Sequence, residues 1–472
     1  MVTIRWIAVM VAWLLAGALF LSPSRAAEGE EKSAGTPKFT MNPGDGLTLT
    51  SASGETTFNL GFYVQARFQW LSYDQYVRSN PLASSPPIPV DNIGQQNKSF
   101  DLRRARMYMR GQLGQPWIKY KVEFDLVGND EGLRNVFIPP GDPTTGFVGV
   151  NISSGAESKD GRTMKLLDAY VDLSPNPAAN FRIGQFKIPH GREEIVSDNL
   201  LQMPARSISS DFFAPSRDRG VLFFGATPTA LIGYQVGAFN GTGLTRGQNL
   251  DPDLAYVARL TAAGKGGYLD TESVIDDPAT FHVQGSVSWY DTSDTPKRQS
   301  PSIPIGKIRD TRLSGDVEFF WPRANLILEY HSRSIDADYD FDLPASCFGA
   351  YLNGRLSCDS RGYTAQAGVL IAPEHELSAR YSKIDNDTQI DRDERTEATL
   401  AYTYYIRRHA LKLNVSVSQF KLGVNAYGSS GFDVQQGTPP ARPIYLQDFP
   451  DAFPGLKDDK NTLFVTQLQW IF

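Results

Sequence analysis

An all-β chain folded as a transmembrane antiparallel β-barrel of about sixteen strands is what this sequence predicts. Three observations lead there. Apolar and polar residues alternate with a period of two from residue 58 to the last residue. The alternating segments run to about ten residues, and the connections between them are short and long in turn. A soluble sandwich strand alternates as well, but averages about five or six residues, whereas a tilted membrane strand needs about nine to eleven.

The first segment, 58–70, sets the pattern: Phe58, Leu60, Phe62, Val64, Ala66, Phe68 and Trp70 share one face, and Asn59, Gly61, Tyr63, Gln65, Arg67 and Gln69 the other. Segments 100–113, 117–127, 165–173, 181–186, 220–226, 232–239, 254–261 and 281–290 follow. The second half continues with 311–320, 325–333, 363–371, 376–384, 396–405, 411–420 and 462–472, an even total suited to a bacterial barrel. Counted from a periplasmic N-terminus, the even-numbered connections 114–116, 174–180, 227–231, 321–324, 372–375 and 407–409 are tight. The odd-numbered ones are long, as extracellular loops are: 71–99, 128–164, 187–219, 240–253, 291–310, 334–362 and 421–461. One even connection, 262–280, breaks the rule, and reads as an extra hairpin or an unusual periplasmic loop.

Composition narrows the alternatives. The 472 residues, 41% hydrophobic and 21% charged with 41 Gly, 30 Pro and 2 Cys, exclude collagen-like, disordered and disulfide-dense chains. With 46 Lys+Arg against 52 Asp+Glu the net charge is −6, which offers no basic footprint for a nucleic-acid partner. Beyond residue 26 no window approaches the roughly 18 consecutive apolar residues of a helical membrane span.

Residues 1–26 read as a secretory signal, with Arg5 in the basic region, an apolar stretch from Ile7 to Leu21 and Ser24-Arg25-Ala26 as a cleavage site. An N-terminal membrane anchor is the alternative, but the stretch is short and lacks a basic stop-transfer cluster. Removing Arg5 and Arg25 and no acid takes the net charge from −6 to −8. Residues 27–55 read as a mobile periplasmic leader and 56–472 as the barrel.

If apolar residues face lipid, alternation sends the others into the lumen. The segment FDLRRARMYMRGQL then points Arg104, Arg106, Tyr108, Arg110 and Gln112 inward, with cations about 7 Å apart per two residues. WIKYKVEFDLV points Lys119, Lys121, Glu123 and Asp125 inward, and Arg67 and Arg182 join the same lumen. These charges could simply pair with Glu123, Asp125, Asp168 and Asp172. Where cations outnumber nearby acids, however, a low-dielectric wall focuses an anion-attracting field, and a ladder of guanidinium forks passes an anion from site to site. The connection 187–219 carries Lys187, His190, Arg192, Arg206, Arg217 and Arg219 and is expected to fold into the pore as its constriction loop. Its acids Glu193, Glu194, Asp198, Asp211 and Asp218 imply that some of those arginines only hold the loop together.

Cys347 and Cys358, in a chain exported to an oxidising compartment, are candidates for a loop disulfide; a metal or redox role is the weaker competitor. The five His show no metal-binding spacing, so neither metal nor cofactor is expected. No GxSxG occurs, and the chain is not read as an enzyme. In the last segment Phe464, Leu468, Trp470 and Phe472 share a face, and the terminal aromatic looks like the C-terminal signal read by the barrel assembly machinery.

Taken in order, DLRRARMYMRGQL, LLDAYVDL, FRIGQFKIPHG, SRDRGVLFFG, YQVGAFNGTG, NLILEYHS, GYTAQAGVLIAPEHELSARYSKID and EATLAYTYYIRRHALKLNVSVSQF resemble the phosphate-selective porin O and P family, from about residue 55 to the end. The resemblance implies a sixteen-stranded homotrimeric channel in the outer membrane, among its lipid and lipopolysaccharide, conducting phosphate, polyphosphate or organic acids. It places Arg104, Arg106 and Arg110 in the basic ladder and Arg192 and Arg206 in the constriction loop. Glu193-Glu194 beside Arg192, and Glu123 and Asp125 beside the lysines, depart from a purely basic lining. A general or sugar-type porin, guided by inward Tyr63, Tyr108 and Tyr170, is the alternative function.

Overall fold

Alternation makes every predicted segment a strand, because only extended backbone puts all its polar side chains on one face. The computed structural model describes residues 36–42, 44–73, 75–78, 88–91, 96–127, 164–243, 253–276, 281–294, 305–339, 351–352, 355–386, 388, 394–422 and 459–472. Sixteen strands form the barrel. The first eight are β1 (Thr57–Tyr73), β2 (Gln96–Leu113), β3 (Gln115–Asp125), β4 (Lys165–Asn176), β5 (Ala179–Lys187), β6 (Arg217–Ala226), β7 (Ile232–Phe239) and β8 (Ala255–Ala263). The second eight are β9 (His282–Asp294), β10 (Ile305–Trp321), β11 (Ala324–Tyr339), β12 (Arg355–Ala372), β13 (His375–Asp385), β14 (Arg395–His409), β15 (Leu411–Leu422) and β16 (Asp459–Ile471). Each pairs antiparallel with its sequence neighbour, and β16 pairs with β1 from Asn461↔Tyr73 to Ile471↔Tyr63, which closes the sheet and leaves the barrel no edge.

Where β16 ends, a hairpin carries the wall on. Its strands are Lys38–Asn42 and Gly46–Thr50, and the second pairs with the start of β1 from Leu47↔Leu60 to Thr50↔Thr57. This part of the leader was expected to be mobile. Phe39, Met41, Leu47 and Leu49 alternate along it and pair across it, and that short pattern is enough to extend a sheet already formed.

The outer surface is apolar and ringed with aromatics. Trp70, Phe100, Tyr256 and Trp289 stand exposed towards the long-loop end, and Trp117, Phe281, Trp321 and Trp470 towards the short-turn end, as the two girdles of a membrane barrel do. Trp470 points outward, while the Phe472 N–H donates to the Phe62 carbonyl at 2.8 Å and the Phe62 N–H to the Phe472 carbonyl at 3.0 Å.

Among the described residues, two connections fold into the lumen. The first runs between β5 and β6 and contains α1 (Arg192–Ile195) and α2 (Ile208–Phe213). Ile208 and Phe213 of α2 bury against an apolar patch on the inner wall made by Leu71, Ile384, Phe420, Leu463 and Val465. The second is the β8–β9 connection, the one that breaks the short-turn rule. It is an inward-folded segment ending in a short 3-10 turn, Val274–Asp276, and Val274 packs on Phe320 and Leu370. Most of the remaining long connections lie outside the described residues.

Candidate functional site

The channel interior is built from the inward positions of the strands together with these two segments. The segment between β5 and β6 is pinned by ion pairs along its length. Arg192 is buried between Glu272 at 3.3 Å and Glu318 at 2.7 Å, and its Nη2 also donates to the Thr271 carbonyl at 2.5 Å. Glu272 and Thr271 belong to the β8–β9 connection, so the two inward segments, entering from opposite mouths, clasp each other in mid-lumen. Gln202 sits at the same clasp: its amide NH2 donates to Asn325 at 2.8 Å and Glu376 at 2.9 Å, and its backbone N–H to Glu272 at 3.0 Å.

Asp198 is the second anchor. It takes Arg104 at 3.3 Å, Arg106 at 2.5 Å and Arg206, which also donates to the Glu193 and Val196 carbonyls at 3.0 and 2.9 Å. Burial alone would push the Asp198 carboxyl up, but Arg104, Arg206 and Arg106 outweigh it and hold the group well below the usual carboxylate range. Glu193 accepts from the Ser207 N–H at 3.0 Å and hydroxyl at 2.6 Å and meets Arg380 at 3.3 Å; burial pushes its carboxyl up to about 8, against the pull of Arg380. Burial also holds His190 well below its ordinary value.

Every inward cation expected from the sequence lies in a described strand or loop, but their surroundings differ. Arg67 pairs with Asp101 at 2.8 Å. Arg104 adds a bond to Gln65 at 2.8 Å, and Arg106 adds Glu123 at 3.4 Å and Asp125 at 3.3 Å. Lys121 lies between Glu123 at 2.6 Å and Asp168 at 2.8 Å. Arg182 grips Asp172 with two bonds, 2.7 and 2.8 Å, and lies 3.9 Å over the ring of Tyr170. Arg110 and Lys119 are solvent-exposed: Arg110 donates to Asn59 at 3.1 Å, and Lys119 has no carboxylate partner among the described residues. Lys121 and Arg182 keep 27% and 25% of their side-chain surface exposed, against 3% and 5% for Arg104 and Arg106. The cations in contact with solvent therefore form a strip on β2–β5 towards the short-turn end.

Among the loop arginines, Arg192 and Arg206 lie in the inward segment, while Arg217 and Arg219 belong to the start of β6; Arg217 pairs with Asp168 at 2.7 Å. Strict alternation misses Arg103. A bulge on β2, where Gln65 pairs with Arg104 and Ala66 with Leu102, turns Arg103 and Arg104 both into the buried interior. The consecutive arginines were the only signal in the sequence for it. Cys347 lies outside the described residues, and Cys358 stands in β12 opposite Ile335 with its side chain outside the description.

A closed sixteen-stranded membrane barrel with a loop folded across its interior is an outer-membrane porin, a passive channel. The family resemblance read from the sequence holds over a defined stretch: residues 88–271 match the family described as phosphate-selective porin O and P, which takes in β2 to β8, the whole β5–β6 segment and the β8–β9 connection as far as Thr271. No curated protein sequence matches the chain. Among solved structures it is similar to the outer membrane channel DcaP of Acinetobacter baumannii, with 12% identity, 88% of this chain and 97% of that one covered, and a TM-score of 0.49. The anion-selective porin from Comamonas acidovorans shows 10% identity, 89% and 100% coverage and a TM-score of 0.48. OmpT of Vibrio cholerae in its trimer form shows 9% identity, 88% and 99% coverage and a TM-score of 0.46.

Proposed function

We propose that this porin prefers anions, and that the solvent-touching strip of Arg110, Lys119, Lys121 and Arg182 is the part of the wall they follow. The observation that carries the reading is the contrast in exposure. The arginines in mid-lumen are neutralised by buried carboxylates, whereas Lys119 and Arg110 face water with no carboxylate on them among the described residues. Charges on a low-dielectric wall raise the local concentration of counter-ions in a pore. Arg104 and Arg106 then act chiefly by holding Asp198 and so fixing the constriction loop, with Arg67 and Arg217 as further paired members of the basic wall.

The same reading takes the functional unit to be a homotrimer set in lipid and lipopolysaccharide, delivered by the barrel assembly machinery through Trp470 and Phe472. It takes the pore to be a diffusion channel without catalysis. Reconstituting the mature protein in planar bilayers under a KCl gradient tests it. The expected reversal potential has the sign of an anion-preferring pore; a cation preference overturns the reading, and an uncharged sugar entering as fast as anions of its size favours a general porin instead.

A further inference from the structure

The inner wall of the open strip changes character within a few strands. β2 and β3 present Arg110, Lys119 and Lys121. From β5 to β9, Phe186, Leu222, Phe239, Val257 and Tyr290 form a buried apolar cluster, and the half-buried rings of Tyr170 and Phe224, packed against it, are the part of it that meets solvent. Arg182 stands on the seam, 3.9 Å over Tyr170 and 5.5 Å from the ring centre of Phe224. Register brings the two kinds of surface together: Lys121 is directly opposite Tyr170, and Arg110 directly opposite Lys121, each one strand spacing of about 4.8 Å apart.

Rings on this wall are set against glycines. A Cβ at Gly61 would stand 2.2 Å from the Tyr108 ring, and one at Gly220 would stand 2.6 Å from the Phe239 ring. Glycine at these positions lets a large ring approach the sheet backbone closely. At the same time three of the guanidinium forks that would wrap a tetrahedral oxyanion are held by carboxylates, Arg182 by Asp172 and Arg104 and Arg106 by Asp198, which leaves Arg110 alone of these four, beside the point charges of Lys119 and Lys121. The cations left in contact with solvent adjoin aromatic surface, as Arg110 does with Tyr108 at 5.2 Å.

Resting on the anion-channel reading above, we propose that the preferred solutes are amphipathic organic anions, carboxylates carrying a flat aromatic or apolar body. The carboxylate passes Arg110, Lys119 and Lys121 and then the solvent-facing part of Arg182, while the body slides over Tyr170, opposite Lys121, and Phe224, beside Arg182. Inorganic phosphate offers the cations a charge but leaves the aromatic surface in water, so the wall discriminates in favour of the organic anion.

The test uses the intact mature protein in planar bilayers, with benzoate, acetate and inorganic phosphate each added to a chloride solution. Benzoate and acetate share a head group, so their ratio reads the body alone. Benzoate is expected to halve the chloride current at a concentration roughly three- to tenfold lower than acetate, the range of one favourable ring contact, and lower than phosphate as well. In Phe224→Leu, which keeps an apolar side chain and removes the ring, the benzoate-to-acetate ratio is expected to fall towards one. Equal block by benzoate and acetate, stronger block by phosphate, or an unchanged ratio in Phe224→Leu overturns the proposal. The reversal potential in chloride alone reports separately. Cation preference there removes the anion-channel reading itself, whereas anion preference with phosphate the better blocker removes only the amphipathic-solute inference.

Discussion

Charges line the inner wall on both sides of this barrel, in two different settings. Where the two inward segments meet β10, β13 and β14 they are sealed: Arg192 of one segment lies between Glu272 of the other and Glu318 of the wall, and Arg380 holds Glu397 at 2.5 Å and Glu193 at 3.3 Å. On β3–β5 the pairs Lys121 to Asp168 and Arg182 to Asp172 run from strand to strand, with about a quarter of each cation still in water. A buried pair stripped of one partner leaves an uncompensated charge, whereas a wet pair leaves a group that water can solvate. The sealed side is therefore where structure is held, and the open side is where the proposed anion path would bring solutes against charge.

The same substitution on each side should expose that difference most sharply. Arg192→Met leaves Glu272 and Glu318 unpaired in the filled half and is expected to cost about 3–5 kcal/mol, read as a drop in the thermal unfolding temperature. Its single-channel conductance should rise, because the clasp between the two inward segments is lost. Arg182→Met leaves the half-wet pair's carboxylate, the largely buried Asp172, without its cation and is expected to cost about 1–2 kcal/mol, less than Arg192→Met. Equal losses in the two variants would erase the distinction between the sides.

Asp198→Asn is intermediate. It removes the charge shared by Arg104, Arg106 and Arg206, although Arg106 keeps Glu123 and Asp125. A destabilisation of about 2 kcal/mol is expected, together with a stronger anion preference as positive charge is uncovered in mid-lumen. A reversal potential unchanged from the parent protein would show that Arg104 and Arg106 stay screened without Asp198.

Which of these features could be read from the sequence follows from distance along the chain. The strands were legible because alternation is a local property, and all sixteen segments fold as strands. Inward direction was legible for Arg104, Arg106, Lys119 and Lys121 for the same reason. The neutralising partner was not, since Arg106 meets Asp198 across 92 residues and Arg192 meets Glu272 across 80. The β8–β9 connection stood out by its length, but its inward fold depends on Arg192, Gln202 and Gln366, none of them near it in sequence. Arg103 was missed because a bulge breaks the parity on which the reading relied.

Acidity should separate the two anchors of the inward segment between β5 and β6. Glu193, raised to about 8 by burial, binds more protons folded than unfolded above the ordinary carboxylate range. Its contribution to stability is therefore complete below pH ~4.5 and is lost as pH rises through about 8. Asp198, depressed by its arginines, has the opposite sign: its contribution is present above the ordinary carboxylate range and is lost only in stronger acid. Glu193→Gln is expected to make the change in unfolding temperature between pH 6 and pH 9 less negative than in the parent. A variant with the parent's slope would show that Glu193 is not the group responsible.

The smallest effect belongs to Lys119, exposed and without a carboxylate partner among the described residues. Lys119→Ala removes no ion pair among the described residues and opens no buried cavity, so stability should stay within about 0.5 kcal/mol of the parent. What changes is the field at the short-turn mouth, and a field of this kind is screened by salt. At about 0.1 M the Debye length is roughly 10 Å, comparable to two strand spacings, so the ammonium acts on ions passing Arg110 and Lys121; at about 1 M it is roughly 3 Å and the influence is local. The reversal potential of Lys119→Ala should therefore move towards zero in dilute KCl and match the parent in concentrated KCl. A shift of the same size at both concentrations would mean that Lys119 shapes the pore through contact rather than charge, and no shift at either would place the anion path on some other part of the wall.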